Sequence, residues 1–215
     1  MITSKNCIVR LSRYRNALYR LKSMGLIRVI SNNLADATGV TALQVRKDFS
    51  MSHIRGNKKG GYQIDNLIEK LNQILGKNEV EHVIVAGIGK IGRALVQYRG
   101  FKEEGIKIVA SFDIDPQKYN EEIEIPVLPL EKMREYIKKN NIKIGIITVP
   151  DTSAQQVLNL MACSGIKGVL NFAPIRLRST PGIIINNVNL VMELEKLIYF
   201  VNTGEKTGGN IGEDY

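Results

Sequence analysis

Three glycines, Gly87, Gly89 and Gly92, stand in G-x-G-x-x-G spacing directly after the apolar run Val83, Ile84, Val85 and Ala86. In a strand–turn–helix context each glycine has a task. The first makes the tight turn, the second lets a pyrophosphate approach backbone N–H groups at the helix start, and the third allows helix and strand to pack closely. A helix with Ile91, Ala94, Leu95 and Tyr98 on its apolar side follows, and then a second strand, IKIVASFD, ending at Asp113, 26 residues beyond Gly87. A carboxylate at that strand end accepts hydrogen bonds from an adenosine ribose diol and repels a 2′-phosphate. Residues 81 to 113 therefore read as a strand–helix–strand unit for a dinucleotide, with NAD(H) favoured over NADP(H).

The candidate cofactor set extends to the neighbours of these groups: Ile88, Lys90 and Ile91 in the turn, and Ile114 and Lys118 after the carboxylate. Further strands, 142–148 and KGVLNF, alternate with helices 130–140 and 152–164. Their carboxyl ends carry Thr148, Val149 and Pro150, then Asn171 and Phe172, on the edge where ligands of doubly wound sheets bind. Turnover is not expected, because hydride chemistry needs a proton donor or acceptor beside the reacting carbon. His53 belongs to a different segment, His82 enters the first strand at its wrong end, and Tyr98 and Lys102 lie along the first helix. No metal site is expected, since Cys7 and Cys163 have no ligand spacing and read as reduced thiols.

The elements around this unit give it an output. Residues 1–60 hold twelve Lys and Arg against Asp36 and Asp48, a net +10, whereas the other 155 residues sum to −1. So uneven a distribution points to a polyanion-binding module joined to a nearly neutral one. In the cationic segment a helical period runs from Ile8 through Val9, Leu11, Tyr14, Ala17, Leu18 and Leu21 to Gly25. Ser31 is a candidate N-cap for a short second helix, Gly39 supplies a break, and Thr41 caps a third helix, TALQVRKDF. This is helix-turn-helix spacing, with Leu34, Ala35, Val40 and Val45 as the seam and Gln44, Arg46 and Lys47 facing outward. Such a helix fits the major groove, and the basic stretch HIRGNKKGGY with Lys58 and Lys59 reads as a wing. Arg10, Arg13, Thr41, Gln44, Arg46, Lys47, Lys58 and Lys59 form the candidate set for double-stranded DNA. A helix over 64–76 closes the domain with Ile64, Leu67, Ile68, Leu71, Ile74 and Leu75 inward.

The fold class is thus α/β: a winged helix-turn-helix domain over 1–77 followed by a Rossmann-type doubly wound parallel sheet over 78–188. A last helix, 189–204, is apolar at Leu190, Val191, Leu194, Leu197, Ile198 and Val201, more surface than one domain covers, so a homodimer is expected. The tail from 205 to 215 is polar and glycine-rich and expected to be disordered. Composition is 44% hydrophobic and 24% charged with no 18-residue apolar run, which excludes a membrane span and favours the cytoplasm.

With these residues in view, the chain resembles the Rex family of redox-sensing transcriptional repressors along nearly its whole length, through VRKDFS, GIGKIGRALVQY, FDIDPQK, ITVP, GIKGVLNFAPIRL and MELEKLIYF. The resemblance implies a dimer whose terminal helix swaps into the partner, and a repressor that NADH releases from palindromic operators. It implies DNA contacts from Arg46, Lys47 and the wing lysines. It further implies dinucleotide contacts from Gly87, Gly89, Gly92, Asp113, Val149 and Pro150, with Tyr98 beside the nicotinamide. Asn16 and Asn189 stand where the family usually has an Arg and an Asp able to form a switchable charged contact. That departure keeps open a DNA-binding repressor whose dinucleotide site is mainly structural. The wing also departs from the family's usual SYFG opening. A small NAD-dependent oxidoreductase and a CoA-binding Rossmann variant are the remaining alternatives.

Overall fold

The computed structural model describes residues 5–57, 60–77, 79–119, 124–178 and 181–207. The wing lysines Lys58 and Lys59, and tail residues 208–215, lie outside them. The chain divides between Glu79 and Val80 into two compact units.

The first unit comprises α1 (Lys5–Ser23), β1 (Arg28–Val29), α2 (Ser31–Thr38), α3 (Ala42–Met51), β2 (Tyr62–Gln63) and α4 (Ile64–Ile74). In α1 the buried residues Cys7, Leu11, Tyr14 and Leu18 fall at helical spacing, so one face meets the core. Ile8 and Val9, expected to start the apolar face, stay in solvent and Cys7 takes the buried place. Leu34, Ala35 and Val45 form the seam of α2 and α3, with Val40 packed at its margin. Phe49 joins the elements, edge-on to Tyr14 at 5.5 Å and to Tyr62 at 5.1 Å. In α4, Ile64, Leu67, Ile68 and Leu71 are buried, Leu75 is half-buried just beyond the helix, and Ile74 faces outward. The antiparallel β1–β2 pair ties the strand before the helix-turn-helix to the strand after the wing.

One local expectation about this unit is corrected. Ser31 is the first helical residue of α2, not its cap; Ile30 occupies the cap, and its N–H donates to the Asn33 side chain at 2.9 Å. Gly39 does take the left-handed conformation, φ +68°, that ends α2.

The second unit contains β3 (Glu81–Ala86), α5 (Lys90–Val96), α6 (Arg99–Glu103), β4 (Ile106–Asp113), β5 (Val127–Pro129), α7 (Met133–Lys139), β6 (Ile144–Ile147), α8 (Asp151–Ser164), β7 (Gly168–Asn171), β8 (Ile184–Asn187) and α9 (Leu190–Thr207). Its six strands lie in the order β5-β4-β3-β6-β7-β8 and pair in parallel throughout. The order reverses beside β3, which creates the crevice at the carboxyl ends of β3 and β6. Alternation along β3 serves both faces: Ile84 and Ala86 pack with α7 and α8, while Val83 and Val85 pack with Ile88 and Val96 of the α5 side. The helix after the glycine turn is shorter than the periodicity predicts, ending at Val96, so Tyr98 precedes a separate short helix.

Asn189 caps helix α9: its side-chain oxygen accepts from the N–H groups of Val191 and Met192 at 3.1 and 3.2 Å. The helix continues to Thr207, past the point where disorder is expected. Its apolar side chains are open to solvent in the single chain, from 39% at Phe200 to 63% at Tyr199.

Candidate dinucleotide site and DNA-reading face

Gly87 leaves β3 with φ +91°, and a Cβ there would stand 2.9 Å from the Thr148 carbonyl group and from Val149 Cγ1. A Cβ on Gly92 would collide with the Gly87 carbonyl oxygen. Gly89, by contrast, faces open space at the start of α5. Arg93 is the first residue whose N–H reaches back to a carbonyl, that of Gly89. The preceding amide groups of the first turn therefore point toward the ligand side, as a pyrophosphate requires. Lys90 and Ile91 are exposed beside them.

Asp113, 7% exposed, binds the other side of this turn. Its Oδ2 accepts from Ile88 N–H at 2.8 Å and Lys118 Nζ at 3.1 Å, and its Oδ1 accepts from Asp115 N–H at 3.0 Å. Burial opposes the charge, but these donors, led by the Ile88 amide, outweigh it and hold the carboxyl below its ordinary range. The group is an anion with most acceptor positions already taken, and Oδ1 keeps capacity for a ribose hydroxyl.

Several candidate residues act differently from the expectation. The Ile88 side chain is wholly buried in the sheet's core and its amide is committed to Asp113, so it shapes the turn and does not face a phosphate. The Thr148 hydroxyl donates to the carbonyls of Gly87 at 2.7 Å and Ala86 at 3.0 Å, clamping the turn to the end of β6. Asn171, expected to face the nicotinamide, is completely buried. Its Nδ2 donates to Ile175 O and Asn187 Oδ1, both at 2.9 Å, and its Oδ1 accepts from Ala173 N–H at 3.0 Å. It ties β7 to β8 and to the following loop. Phe172 is half-buried against the core. Val149 is half-buried and Pro150 exposed at the crevice, immediately before α8, and Ile114 is exposed after Asp113. Tyr98 is 60% exposed, edge-on to Phe101 at 5.2 Å. Lys102 binds Glu124 at 2.6 Å.

In the first unit, the Thr41 hydroxyl accepts from Gln44 N–H at 3.1 Å and caps α3 as expected. Arg46 and Lys47 are exposed. Gln44 and Arg10 are corrections: both turn inward to Asp48, a residue that composition singled out only as one of two acids in a cationic segment. Arg10 holds Asp48 with two bonds of 2.7 Å, Tyr14 donates to it at 2.8 Å, and Gln44 Nε2 donates at 2.8 Å. Asp48 is fully buried, which works against its charge, yet these donors keep its carboxyl below the ordinary range. The same burial and the nearby carboxylate push the Cys7 thiol up, so Cys7 is an unreactive core group. The clue in the sequence was the Gln44–Asp48 spacing, i to i+4 on one helix. Arg13 lines an open groove of about 1050 Å³ between α1, α2 and the start of α3.

Comparison with known proteins bears on both units. Residues 3–50 match a family model described as "Putative DNA-binding protein N-terminus", and residues 78–175 match the "CoA binding domain" model. The redox-sensing transcriptional repressor Rex of Carboxydothermus hydrogenoformans is 40% identical over 193 residues, covering 89% of this chain and 93% of its own. The chain belongs to the Rex family. The Rex of Clostridioides difficile is 35% identical and is covered over its entire length by 95% of this chain. Among solved structures, the Rex-family repressor RSP with β-NAD+ and operator DNA superposes with a TM-score of 0.90 at 32% identity, covering 99% of this chain and all of that one. The same repressor with β-NADH gives 0.82 at 33% identity over 95% and 97% of the two chains. These relatives are transcriptional repressors, one of them bound to DNA, which supports a regulator and not an enzyme. Among the described residues no helix is long and apolar enough to cross a membrane.

Proposed function

We propose that this Rex protein is a cytoplasmic homodimer that holds palindromic operator DNA while NAD+ occupies the crevice and leaves it when NADH takes its place. The observation that carries the reading is one chain joining a glycine turn backed by the Asp113 carboxylate to a winged helix whose α3 turns Arg46 and Lys47 to solvent. In this reading the pyrophosphate rests on the amides from Gly89 to Gly92, the adenosine ribose meets Asp113, and the nicotinamide extends past Val149 and Pro150 toward Tyr98. Lys118 neutralises part of the Asp113 charge. Arg46, Lys47, Arg13 and the wing contact DNA, and Arg10 and Gln44 serve by holding α3. The exposed apolar surface of α9 supports its burial in a partner subunit.

NADH changes operator affinity only by as much as it prefers the DNA-incompetent arrangement. Coupling of about 1–3 kcal/mol corresponds to a 5–150-fold change. A second reading, weak coupling, is favoured by one observation. Asn189 spends its side chain capping α9, and Asn16 accepts from Arg15 at 3.1 Å, so two neutral amides stand where a charged contact is usual in the family. Operator titration by gel shift in NADH and in NAD+ separates the readings. Weaker binding in NADH by at least fivefold is the result expected for a sensor of this coupling. Equal binding in the two nucleotides overturns the sensing assignment and leaves a repressor with a structural dinucleotide.

A further inference from the structure

The solvent face of α3 is not uniformly cationic. Its exposed residues Leu43, Arg46, Lys47 and Ser50 fall at i, i+3, i+4 and i+7, one continuous stripe opposite buried Val45, Asp48 and Phe49. Leu43 heads that stripe, in the first turn, with 69% of its surface in water. An isolated exposed leucine ordinarily needs no explanation. Here its position matters, because the first turn of such a helix is the part that meets base edges in the major groove. The polar reader expected beside it, Gln44, is half-buried and turned toward the core, with one amide N–H donated to Asp48 Oδ1 at 2.8 Å.

We infer that Leu43 is a sequence-reading residue, making apolar contact with the C5-methyl group of a thymine in each operator half-site, while Arg46 and Lys47 supply phosphate or guanine contacts on either side. The thymine methyl is the apolar feature that distinguishes this base on the major-groove edge, and an exposed aliphatic side chain such as Leu43 suits it. The assignment rests on operator binding through α3 and adds to it the class of base read by the first turn.

The test uses the full-length protein and a duplex selected by it from a randomised pool. Each thymine is replaced in turn by uracil, which deletes only the methyl, symmetrically in both half-sites. At one thymine position the wild type should weaken about fourfold per half-site, the effect of losing one buried methyl. In Leu43→Ala the same uracil replacement should change affinity less than twofold, whereas replacements elsewhere keep their effects. Leu43→Gln, which keeps a good helix former at this exposed place, should repeat the result, with NADH affinity unchanged in both variants. Uracil effects that persist undiminished in both variants, or a selected operator indifferent to every thymine methyl, remove Leu43 as a reader while operator binding stands. A wild type that selects no duplex removes operator binding itself, and this assignment with it.

Discussion

Replacing Asp48 by asparagine changes one oxygen to an NH2 group at the meeting point of α1 and α3. Four donor groups converge there, two from Arg10 and one each from Tyr14 and Gln44, so the substitution leaves at least one donor facing another and deprives Arg10 of its counter-charge. Breaking a buried ion pair by removing one partner costs about 3–5 kcal/mol. Arg10 keeps 23% of its side chain in water, which places the expected loss near the low end, about 3 kcal/mol. The assay is native-state hydrogen exchange at α3 amides, which isolates the first unit from the second in a chain that need not unfold in one step. The sign of the pH dependence follows from the lowered Asp48 carboxyl. A group depressed in the folded state contributes fully above its ordinary pKa, and the contribution disappears as pH falls through the folded value. The gap between wild type and Asp48→Asn should therefore be complete at neutral pH and close in acid below the ordinary carboxylate range. Adding Arg10→Met to Asp48→Asn should restore part of the loss, because the uncompensated charge is removed. A gap under about 1 kcal/mol at neutral pH, or one that does not narrow in acid, would refute the view that this pair holds α3 in place.

Asp113→Ala should reduce both NADH and NAD+ affinity by about tenfold or more, the worth of a hydrogen bond to a charged group; isothermal titration calorimetry reads it, and unchanged affinity would favour a ligand without an adenosine ribose diol contact. Arg46→Ala should weaken operator binding and, if its partner is a phosphate, lower the slope of log affinity against log salt by about 1; an unchanged slope with relaxed base preference would reassign it to base reading. Leu197→Glu, in the middle of α9, should shift the protein toward monomer by light scattering; an unaltered mass would place the subunit interface elsewhere.

The glycine turn, Asp113 and the cationic helix-turn-helix were legible because each depends on spacing over a few residues. So was the parallel sheet's interior, where Val83 to Ala86 must be apolar on both faces. The edge strands escaped: β5 is three residues between Pro126 and Leu130, and β8 ends in two asparagines, so neither carries a periodic signal. Side-chain direction was the larger gap. Arg10 and Gln44 are polar residues on helices near a DNA-reading face, and only the fold brings Asp48 to them. Asn171 lies at a strand end where ligands are expected, yet its amide is saturated by Ala173, Ile175 and Asn187, partners up to 16 residues distant. Spacing identifies which backbone groups meet a ligand; it does not reveal which side chains the protein spends on itself.

The pairing of β1 with β2 carries a further consequence for how such a domain changes over evolution. The loop tip around Asn57 to Gly61 is pinned at its base by Arg28 and Val29, and by the bond from Ile64 N–H to the Ile27 carbonyl at 2.9 Å. With the base anchored there, substitutions at exposed Arg55 and Asn57 leave the buried contacts of α2 and α3 untouched. Such solvent positions can drift in composition while the reading helix stays put. Ile54 and Tyr62 hold the core on either side, so a lineage can retune its grip at the solvent positions between them without rebuilding the reading helix.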